Sequence, residues 1–566
     1  MVLDSQVANR SKRSQEQRRQ LVSMADDDTP TAPLLTSHKA KPAEVPSIDD
    51  IIETCIGGTG AMQLLKAFLV VFARAFDGQL LFISVFTEAE PRWHCVVAGG
   101  DSSSCSRPAA AASPCALPPG TWAWDRPAGA SVVSEWGLNC AGPALVSLPS
   151  SAFFAGCLAG GFLLTMLADS LLGRKKMLVA ALASMSVAGA LTALAPNVWA
   201  YAALRFASGF ARSMVGTCAL VLSTELVGKR WRNAVSFVAF SCFTLGFLSL
   251  PAVAYALREV SWRSVYFWTS LPCLLYAVLL YFLAQESPRW LLVRGRTQEA
   301  VETLRQIASR NGGGGGATAG SSSSLSMLQN ACALAMYEDS GTRAGGVFVT
   351  LQAILERRWA IQRLAAIMAA GFGVGVVYFG MPLSVGSLGP DLYLSVAYNA
   401  ASELPSAVLS WFVIARANRR GALAALAAAA GACSLACVAI PRGAEPARLA
   451  AELLSFSATS TAYNVILIYA IELFPTSLRN SALGLVRQAM VLGGVVAPVL
   501  VALGRERSFW SFGVFGLAIG CSGLFAACLP ETRGRSLSDT MEEEERKQAA
   551  GSSAAVDKNS DDSHLV

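Results

Sequence analysis

Apolar residues in this 566-residue chain come in twelve long runs, each of 19–26 residues with almost no charge. A helix of that length can cross a hydrocarbon core of about 30 Å. The pattern therefore predicts an all-α polytopic membrane protein with twelve transmembrane helices. The predicted spans are 64–86, 144–167, 177–195, 198–222, 234–256, 264–284, 361–386, 391–414, 421–441, 448–471, 481–503 and 508–529.

Composition agrees with this reading. The chain is 53% hydrophobic and 15% charged, with a mean hydropathy of +0.45. A soluble chain of this length carries a larger charged surface and divides into several cores. The twelve runs therefore describe membrane spans rather than buried helices of a soluble protein.

Basic residues concentrate beside the ends of particular spans. The short loops after spans 2, 4 and 8 contain LLGRKK, GKRWRN and ARANRR, whereas the loops after spans 3 and 7 contain no Lys or Arg. The positive-inside bias predicts that the basic loops and both termini are cytoplasmic. The formal charge of +6 thus indicates a lipid bilayer partner and no nucleic acid.

The spans divide the chain into five predicted regions. The Gly/Ser tract at 311–324 is a flexible linker, since no Lys-Ser/Thr follows it and no strand precedes it. The Gly residues of GFGVG at 371–375 lie inside a span and indicate close helix packing. The regions are an N-terminal tail (1–60), a six-helix half (61–284, with a large extracellular or lumenal loop at 87–144), a cytoplasmic central loop (285–360), a second six-helix half (361–530) and a cytoplasmic tail (531–566).

Four of the fourteen cysteines lie in the loop 87–144. They are Cys95, Cys105, Cys115 and Cys140. An even set on the oxidising side of a membrane predicts two disulfides, with three connectivities open. Zinc is the alternative, but the loop has no Cys-x-x-Cys spacing and only His94, so we expect no metal.

Three charged signatures recur along the chain. ELVGKRWRN at 225–233 returns as ELFPTSLRN at 472–480, 247 positions later. The other two pairs, each 245 positions apart, are Arg174 with Arg419 and Glu286 with Glu531. The ELVGKRWRN and ELFPTSLRN motifs follow spans 4 and 10, the Arg pair follows spans 2 and 8, and the Glu pair follows spans 6 and 12. This register predicts two like-oriented six-helix pseudo-repeats.

These motifs carry a family resemblance. LADSLLGRKK, LRFASG, ESPRWLLVRGR and LPETRG resemble signatures of the major facilitator superfamily. The Cys-bearing loop ending in SEWGLNC, together with ELFPTSLRN, resembles its organic cation/anion/carnitine branch. From about residue 48 to 545 the chain is similar to plant organic cation/carnitine transporters. The resemblance implies the major facilitator fold, a substrate site near the bilayer midplane and rocking of the two halves.

The chain departs from that branch at two informative positions. Ala415 stands where the second loop motif usually has Asp. Val491 stands where cation carriers have Asp and where anion and carnitine carriers have Arg, although Arg487 lies one turn earlier. The chain therefore lacks the acidic residue that would most simply explain cation selectivity in this branch.

Charges at the predicted cytoplasmic helix ends are candidates for gating. A network of this kind can form in one conformer and break in another. The alternative is that these residues only set topology and anchor helix ends. The candidates are Asp169, Arg174, Glu225, Arg232, Glu286, Arg419, Glu472, Arg479 and Glu531.

Ionisable residues inside spans are costly, so they are candidates for substrate or ion binding. Aromatic rings join them, because a quaternary ammonium has no N–H and is held by carboxylates and ring faces. The candidates are Arg74, Asp77, Arg205, Arg212, Glu403, Arg487, Tyr378, Tyr463 and Tyr469. Tyr393, in the predicted helix 8, is a further tyrosine that could contribute to a cation site.

Structural alternatives remain open for each candidate. Arg74 and Asp77 are three residues apart and neutralise each other on this view, while Arg212 and Arg487 pair with Glu403. Arg205 braces helix ends or takes part in ion coupling. Each Tyr is a packing residue in the alternative interpretation.

Together these features predict a secondary active transporter of organic cations or zwitterions, such as carnitine, choline or a polyamine. We expect no cofactor, and a proton or a sodium ion is the candidate co-substrate. The alternatives are a proton-coupled sugar or other small-solute porter of the same fold, and a transport-inactive receptor. With three His and no clustered nucleophile pair, the chain is not expected to be an enzyme. We expect it in the plasma membrane, with the vacuolar membrane as the alternative.

Overall fold

The computed structural model describes one chain, largely α-helical. The described residues are 59–96, 114–118, 120–167, 172–310, 352, 354–387, 391–441, 443–475, 478–504, 508–534, 538 and 541–547.

Twelve long helices form the bundle, and they coincide with the twelve predicted spans. Each begins or ends within a few residues of the prediction, often because charged residues such as Arg174 and Arg419 form part of the first turn. The helices are α1 (Ala61–Thr87), α2 (Pro143–Leu167), α3 (Arg174–Thr192), α4 (Val198–Glu225), α5 (Arg232–Ala256), α6 (Trp262–Leu283), α7 (Arg358–Ser384), α8 (Leu392–Arg416), α9 (Arg419–Ala439), α10 (Glu445–Leu473), α11 (Arg479–Leu503) and α12 (Ser508–Ala527).

Ten of these helices are long and apolar enough to span a membrane by length and composition alone, among the residues described. The other two differ for separate reasons. α8 has the length but is less apolar, since Asn399, Glu403 and several Ser interrupt it. The apolar part of α12 is the shorter stretch Ser511–Ala527 among the described residues. Both pack against spanning helices of the bundle, α8 on α5 and α10 and α12 on α7 and α9, which agrees with the prediction of twelve.

Small residues let the helices approach closely. α2 packs on α4, α1 on α5 and α3 on α6, while α7 packs on α11 and α9 on α10 and α12. A Cβ on Gly209 would lie 1.9 Å from the Phe153 carbonyl oxygen, and one on Gly375 would lie 2.1 Å from that of Met490. The GFGVG stretch is therefore a close helix contact, as predicted. Between the halves, α2 contacts α11 and α5 contacts α8.

The segment between α1 and α2 has local structure of its own. Strands β1 (Trp93–Cys95) and β2 (Trp122–Trp124) pair antiparallel, with Trp93 opposite Trp124. The short helix Val132–Glu135 follows, with 3-10 turns at Pro114–Ala116, Ala128–Ala130 and Leu138–Cys140.

One predicted disulfide joins Cys115 to Cys140 across this segment, with an S–S distance of 2.09 Å. Cys95 is disulfide-bonded as well, and Cys105 lies outside the described residues. The segment is also tied to α6, because the Glu135 carboxylate binds both Arg263 (2.6 Å) and the indole of Trp262 (2.6 Å).

The repeated charged signatures occupy equivalent places in the two halves. Glu286 accepts the backbone N–H of Arg174 at the start of α3 (2.9 Å), and Glu531 accepts that of Arg419 at the start of α9 (2.9 Å). Both bonds join residues 112 positions apart. Each carboxylate caps a helix N-terminus, where unpaired N–H groups and the helix dipole favour a negative charge.

In the second half a side-chain ion pair accompanies this cap. Glu472 binds the Arg419 guanidinium (3.0 Å) and accepts the Thr532 hydroxyl (2.6 Å). Arg479 donates to the Ile471 carbonyl (3.0 Å). In the first half Glu225 faces Ser287 and Arg174.

These contacts show which helix ends the gating candidates join. The described bonds of Glu286, Glu472, Arg479 and Glu531 join elements of the same half, so they brace each half and do not hold one half to the other. Arg232 lies at the start of α5, and Asp169 lies outside the described residues. A gating role for this set therefore stays a prediction.

The central loop and tail contain short helices. Pro288–Val293 and Thr297–Arg310 follow α6, whereas the Gly/Ser tract lies outside the described residues. Residues 541–547 of the tail are helical and bind the start of α7, where Arg363 pairs with Glu544 (2.8 Å) and Arg357 pairs with Glu545. These two ion pairs attach the tail to the bundle.

Replacing Glu531 by Gln is expected to lower the free energy of unfolding by about 1 kcal/mol near neutral pH, the usual contribution of a helix cap. Burial raises the pKa of Glu531, but backbone N–H donors from Arg533, Arg419, Arg420 and Thr532 outweigh it and hold that pKa below 4.5. A lowered pKa stabilises the fold above the ordinary value, and that stabilisation is lost as the pH falls through the lowered one. The difference between wild type and variant should thus shrink below pH 4.5.

Thermal unfolding of the purified protein across pH measures this difference. Glu286→Gln, which removes the equivalent cap of the first half, should also lower the stability at neutral pH, and the exposed Glu259→Gln should change it little. A Glu531→Gln protein as stable as wild type at neutral pH would contradict the cap.

Candidate functional site

A buried carboxylate of α1 lies between two arginines. Asp77 is 1% exposed, and its Oδ2 accepts Arg74 Nη1 at 3.0 Å. Arg212 of α4 approaches Oδ1 at 2.7 Å, as an ion pair without hydrogen-bond alignment. The charges of this group sum to one excess positive charge. The expected Arg74–Asp77 pairing is present, and Arg212 is a second partner.

The expected pairing of Arg212 and Arg487 with Glu403 is wrong. Arg212 pairs with Asp77, and Arg487 of α11 donates to the Thr217 hydroxyl of α4 at 3.1 Å. The rotation of each helix decides this outcome, because it directs Arg212 toward α1 rather than toward α8. Arg487 thus makes a hydrogen bond between the two halves.

Glu403 of α8 is bound by hydroxyl groups instead. Its Oε1 accepts Tyr378 at 2.7 Å and its Oε2 accepts Thr244 of α5 at 3.1 Å. The residue is 5% exposed, and no described Lys or Arg nitrogen lies within 4.0 Å of it. Glu403 therefore carries a buried carboxylate whose charge is not balanced by a close cation.

Aromatic rings line the Glu403 side of the site. The Tyr378 ring lies 4.7 Å from the Tyr463 ring and 5.7 Å from the Phe456 ring, centroid to centroid. On the Asp77 side, the Arg74 guanidinium lies 4.9 Å from the Phe243 ring. Phe243 is followed in α5 by Thr244, whose hydroxyl donates to Glu403 at 3.1 Å. The two charge groups therefore belong to one site between the halves.

Gly216 of α4 leaves space for this arrangement. A Cβ there would lie 2.2 Å from Arg74 Nη1 and 3.4 Å from Asp77 Oδ2. A larger residue at position 216 would have to displace the guanidinium that neutralises Asp77.

Three candidates lie elsewhere. Arg205 is 1% exposed and stacks on Phe153 at 4.2 Å, with Glu88 at 3.9 Å. The Tyr469 hydroxyl donates to the Pro530 carbonyl at 2.7 Å, at the opposite end of the bundle from the Cys-bearing segment. Tyr393 stacks on Phe86 with ring centroids 5.5 Å apart, at the Cys-bearing end.

A cavity of about 660 Å³ opens at that same end of the bundle. It is lined from both halves, including Glu88, Tyr255, Tyr393 and Asp391. Arg126 donates to the Tyr393 hydroxyl at 2.8 Å across it. Asp77 and Glu403 are not among its lining residues, so the cavity is distinct from the charge site.

Sequence reasoning missed several polar residues of the bundle. Thr217 and Thr244 bind the arginine and the carboxylate across the halves, but a lone Thr in a span gives no signal. Glu452 and Arg448 of α10 are buried, and the rule used for the other intramembrane charges would have identified them. Among the described residues no group of three or more His, Cys, Asp and Glu could hold a metal ion.

Comparison with known proteins shows the relatives of the chain. The Major Facilitator Superfamily model matches residues 127–498. Organic cation/carnitine transporter 2 of Arabidopsis thaliana is 48% identical over 92% of this chain and 97% of that protein. Organic cation/carnitine transporter 3 of the same plant is 46% identical over 93% and 99%. Solute carrier family 22 member 2 of Homo sapiens is 31% identical over 75% and 74%.

Solved structures share the fold. The proton:xylose symporter XylE bound to 6-bromo-6-deoxy-D-glucose gives a TM-score of 0.55 at 19% identity, covering 86% of this chain and 98% of that one. An inward open conformation of XylE from E. coli gives 0.58 at 19% identity, covering 85% and 98%. At this identity the likeness concerns the fold alone.

Replacing Gly216 by Ala is expected to destabilise the protein by about 1 kcal/mol, because the added methyl group overpacks the Arg74 guanidinium. The matched control is Gly484→Ala, a helical Gly with no atom within 4 Å of the added Cβ. That control should be neutral or stabilising. Thermal unfolding of the purified proteins distinguishes the two, and equal behaviour would contradict the close approach at Gly216.

Proposed function

Because the chain belongs to the major facilitator superfamily, and within it to the organic cation/carnitine transporters, we propose that it carries an organic cation or zwitterion by alternating access. It is a multi-pass membrane protein, and we propose the plasma membrane as its location, with the vacuolar membrane as the alternative.

The Glu403 carboxylate, which has hydroxyl partners but no described Lys or Arg nitrogen within 4.0 Å, is the observation that carries this proposal. A quaternary ammonium donates no hydrogen bond, so a protein recognises it with negative charge and aromatic faces. Glu403 provides the charge, and Tyr378 and Tyr463 provide rings 4.7 Å apart beside it. A bound ammonium would supply the cation that Glu403 lacks among the described residues.

Arg74 and Arg212, on the Asp77 side of the site, provide the opposite charge. Asp77 neutralises only one of Arg74 and Arg212, which leaves one positive charge for a substrate carboxylate. Arginine binds carboxylates with directed, charge-assisted hydrogen bonds. A zwitterion such as carnitine satisfies both ends of the site, whereas choline satisfies only the Glu403 end.

Hydrogen bonds between the halves support alternating access. Thr244 of the first half binds Glu403 of the second (3.1 Å), and Arg487 of the second half binds Thr217 of the first (3.1 Å). A substrate that occupies Glu403 and the arginines competes with these bonds. Its binding therefore biases the balance between two arrangements of the halves.

A sugar porter of the same fold remains the alternative. Sugars bind through neutral hydrogen bonds, and an ionic site with separated charges gives them no advantage. A transport-inactive receptor would bind the same solutes without moving them. Because the relatives are transporters, an enzyme activity is not proposed.

Uptake of labelled carnitine, choline, spermidine and glucose by cells that express the protein tests the proposal. We expect carnitine and choline to accumulate and glucose to stay at background. Glucose uptake without cation uptake would contradict the proposal, and binding of carnitine without uptake would favour the receptor.

Two substitutions separate the ends of the site. Glu403→Gln is expected to raise the apparent KM for both carnitine and choline by about tenfold, because a buried charge pair contributes about 1.5–3 kcal/mol. Arg212→Gln should raise the carnitine KM by a similar factor and leave choline nearly unchanged. Initial rates against substrate concentration measure both.

Glu259→Gln is the matched control, because the Glu259 carboxylate is 82% exposed and pairs with its neighbour Arg258. Equal effects of Arg212→Gln on carnitine and choline would overturn the division of the site into two ends.

A further inference from the structure

Glu452 of α10 is a third buried carboxylate of the bundle, beside Asp77 and Glu403 of the proposed substrate site. It is 0% exposed and lies among α8, α9 and α10 of the second half. Its Oε1 accepts Asn399 Nδ2 of α8 at 2.6 Å. Nothing in the proposed function above uses this pair.

The pair holds two buried acceptors without donors. Glu452 Oε2 and Asn399 Oδ1 are both shielded from solvent, and neither has a hydrogen-bond partner among the described residues. An ionised carboxylate cannot donate a hydrogen bond, and buried acceptors without donors are costly. One proton on Glu452 Oε2 gives the pair the donor that it lacks and removes the buried charge.

Charged neighbours do not replace that proton. Arg448, one turn earlier on α10, donates to the Cys437 carbonyl of α9 (3.2 Å), and the Cys437 thiol binds the Arg448 carbonyl. At membrane depth, α7 contributes Tyr378, which binds Glu403, and α11 contributes Arg487, which binds Thr217.

No described Lys or Arg nitrogen lies within 4.0 Å of the Glu452 carboxylate, whose described partner is the Asn399 amide. A charged carboxylate without a partner is far more costly in apolar surroundings than a neutral one.

We infer that Glu452 and Asn399 form a proton-binding site in the second half, and that the proton taken up and released there drives transport. This inference rests on the proposed function, whose coupling ion it names. The step is a simple protonation, in which the carboxylate gains or loses one proton and no other bond changes.

A sodium ion fits the pair less well. Sodium is bound by several oxygens, whereas the Asn399 amide directs an N–H group at the carboxylate. The substrate does not fit either, since Glu452 has no exposed surface. A proton is the cation that needs no cavity.

α8 connects this site to substrate binding. Asn399 and Glu403 are four residues apart on α8, on the same face, and both are buried. We therefore expect a substrate ammonium that binds Glu403 to shift α8, the helix that also positions Asn399. Substrate binding and proton binding are coupled through one helix, and the coupling is reciprocal.

Glu452→Gln tests the site, because Gln has the shape of the protonated acid and cannot titrate. The assay is uptake of labelled carnitine into proteoliposomes, with and without an inward proton gradient, beside carnitine exchange without a gradient. In wild type the gradient should accelerate uptake several-fold. In Glu452→Gln that stimulation should fall to none while exchange continues, and the exposed Glu259→Gln should keep the stimulation.

Asn399→Asp is a second variant for the case in which Glu452→Gln does not fold. Two carboxylates then share the site and hold the proton more tightly, so the pH midpoint of uptake should move upward. Infrared spectra provide a readout independent of transport, in which the carbonyl band of a buried protonated acid should be present in wild type and absent in Glu452→Gln.

The outcomes separate the two hypotheses. Gradient-stimulated uptake by Glu452→Gln, or wild-type uptake that ignores the gradient, would overturn the proton site and leave the proposed function standing. Absence of wild-type uptake of carnitine and choline would overturn the proposed function. A missing infrared band would overturn the protonated state of Glu452 whatever the uptake result.

Discussion

The cost of burying charge inside an apolar helix bundle governs the arrangement of this protein. Each ionisable side chain at membrane depth has to find a partner, a proton or a substrate. Asp77 has two arginines, Arg487 has a hydroxyl in the other half, and Glu452 has the Asn399 amide. Glu403 has hydroxyls but no close cation among the described residues. The proposed sites of substrate and proton binding both follow from which carboxylates have no cation close by.

The pseudo-repeat distributes these charges over two six-helix halves, and each half can move as a unit. Glu286 and Glu531 cap equivalent helices at the same sequence separation, and the ion pair of Glu472 with Arg419 lies within the second half. Contacts within a half persist while it rocks. The hydrogen bonds of Thr244 with Glu403 and of Arg487 with Thr217 cross between the halves and are the ones that rocking must break.

The fold could be predicted from the sequence to a large extent, because apolar length and charge at helix ends are direct physical signals. All twelve spans and the two halves followed from them, and disulfide bonding in the Cys-bearing segment followed from compartment, whereas the Cys115–Cys140 pairing did not. Partner choice inside the bundle could not be predicted in the same way. Arg212 binds Asp77 and not Glu403 because helix rotation and packing decide where a side chain points. Thr217 and Thr244 give no charge signal at all, whereas Glu452 did and was missed.

The central claim is that Glu403 recognises the positive charge of the substrate. Choline and its neutral carbon isostere, 3,3-dimethylbutan-1-ol, have nearly the same shape, so their ratio of affinities isolates the charge. Binding of each to the purified wild type and to Glu403→Gln measures that ratio directly. The account predicts a strong preference for choline in wild type that largely disappears in Glu403→Gln. An equal preference in both proteins would contradict it.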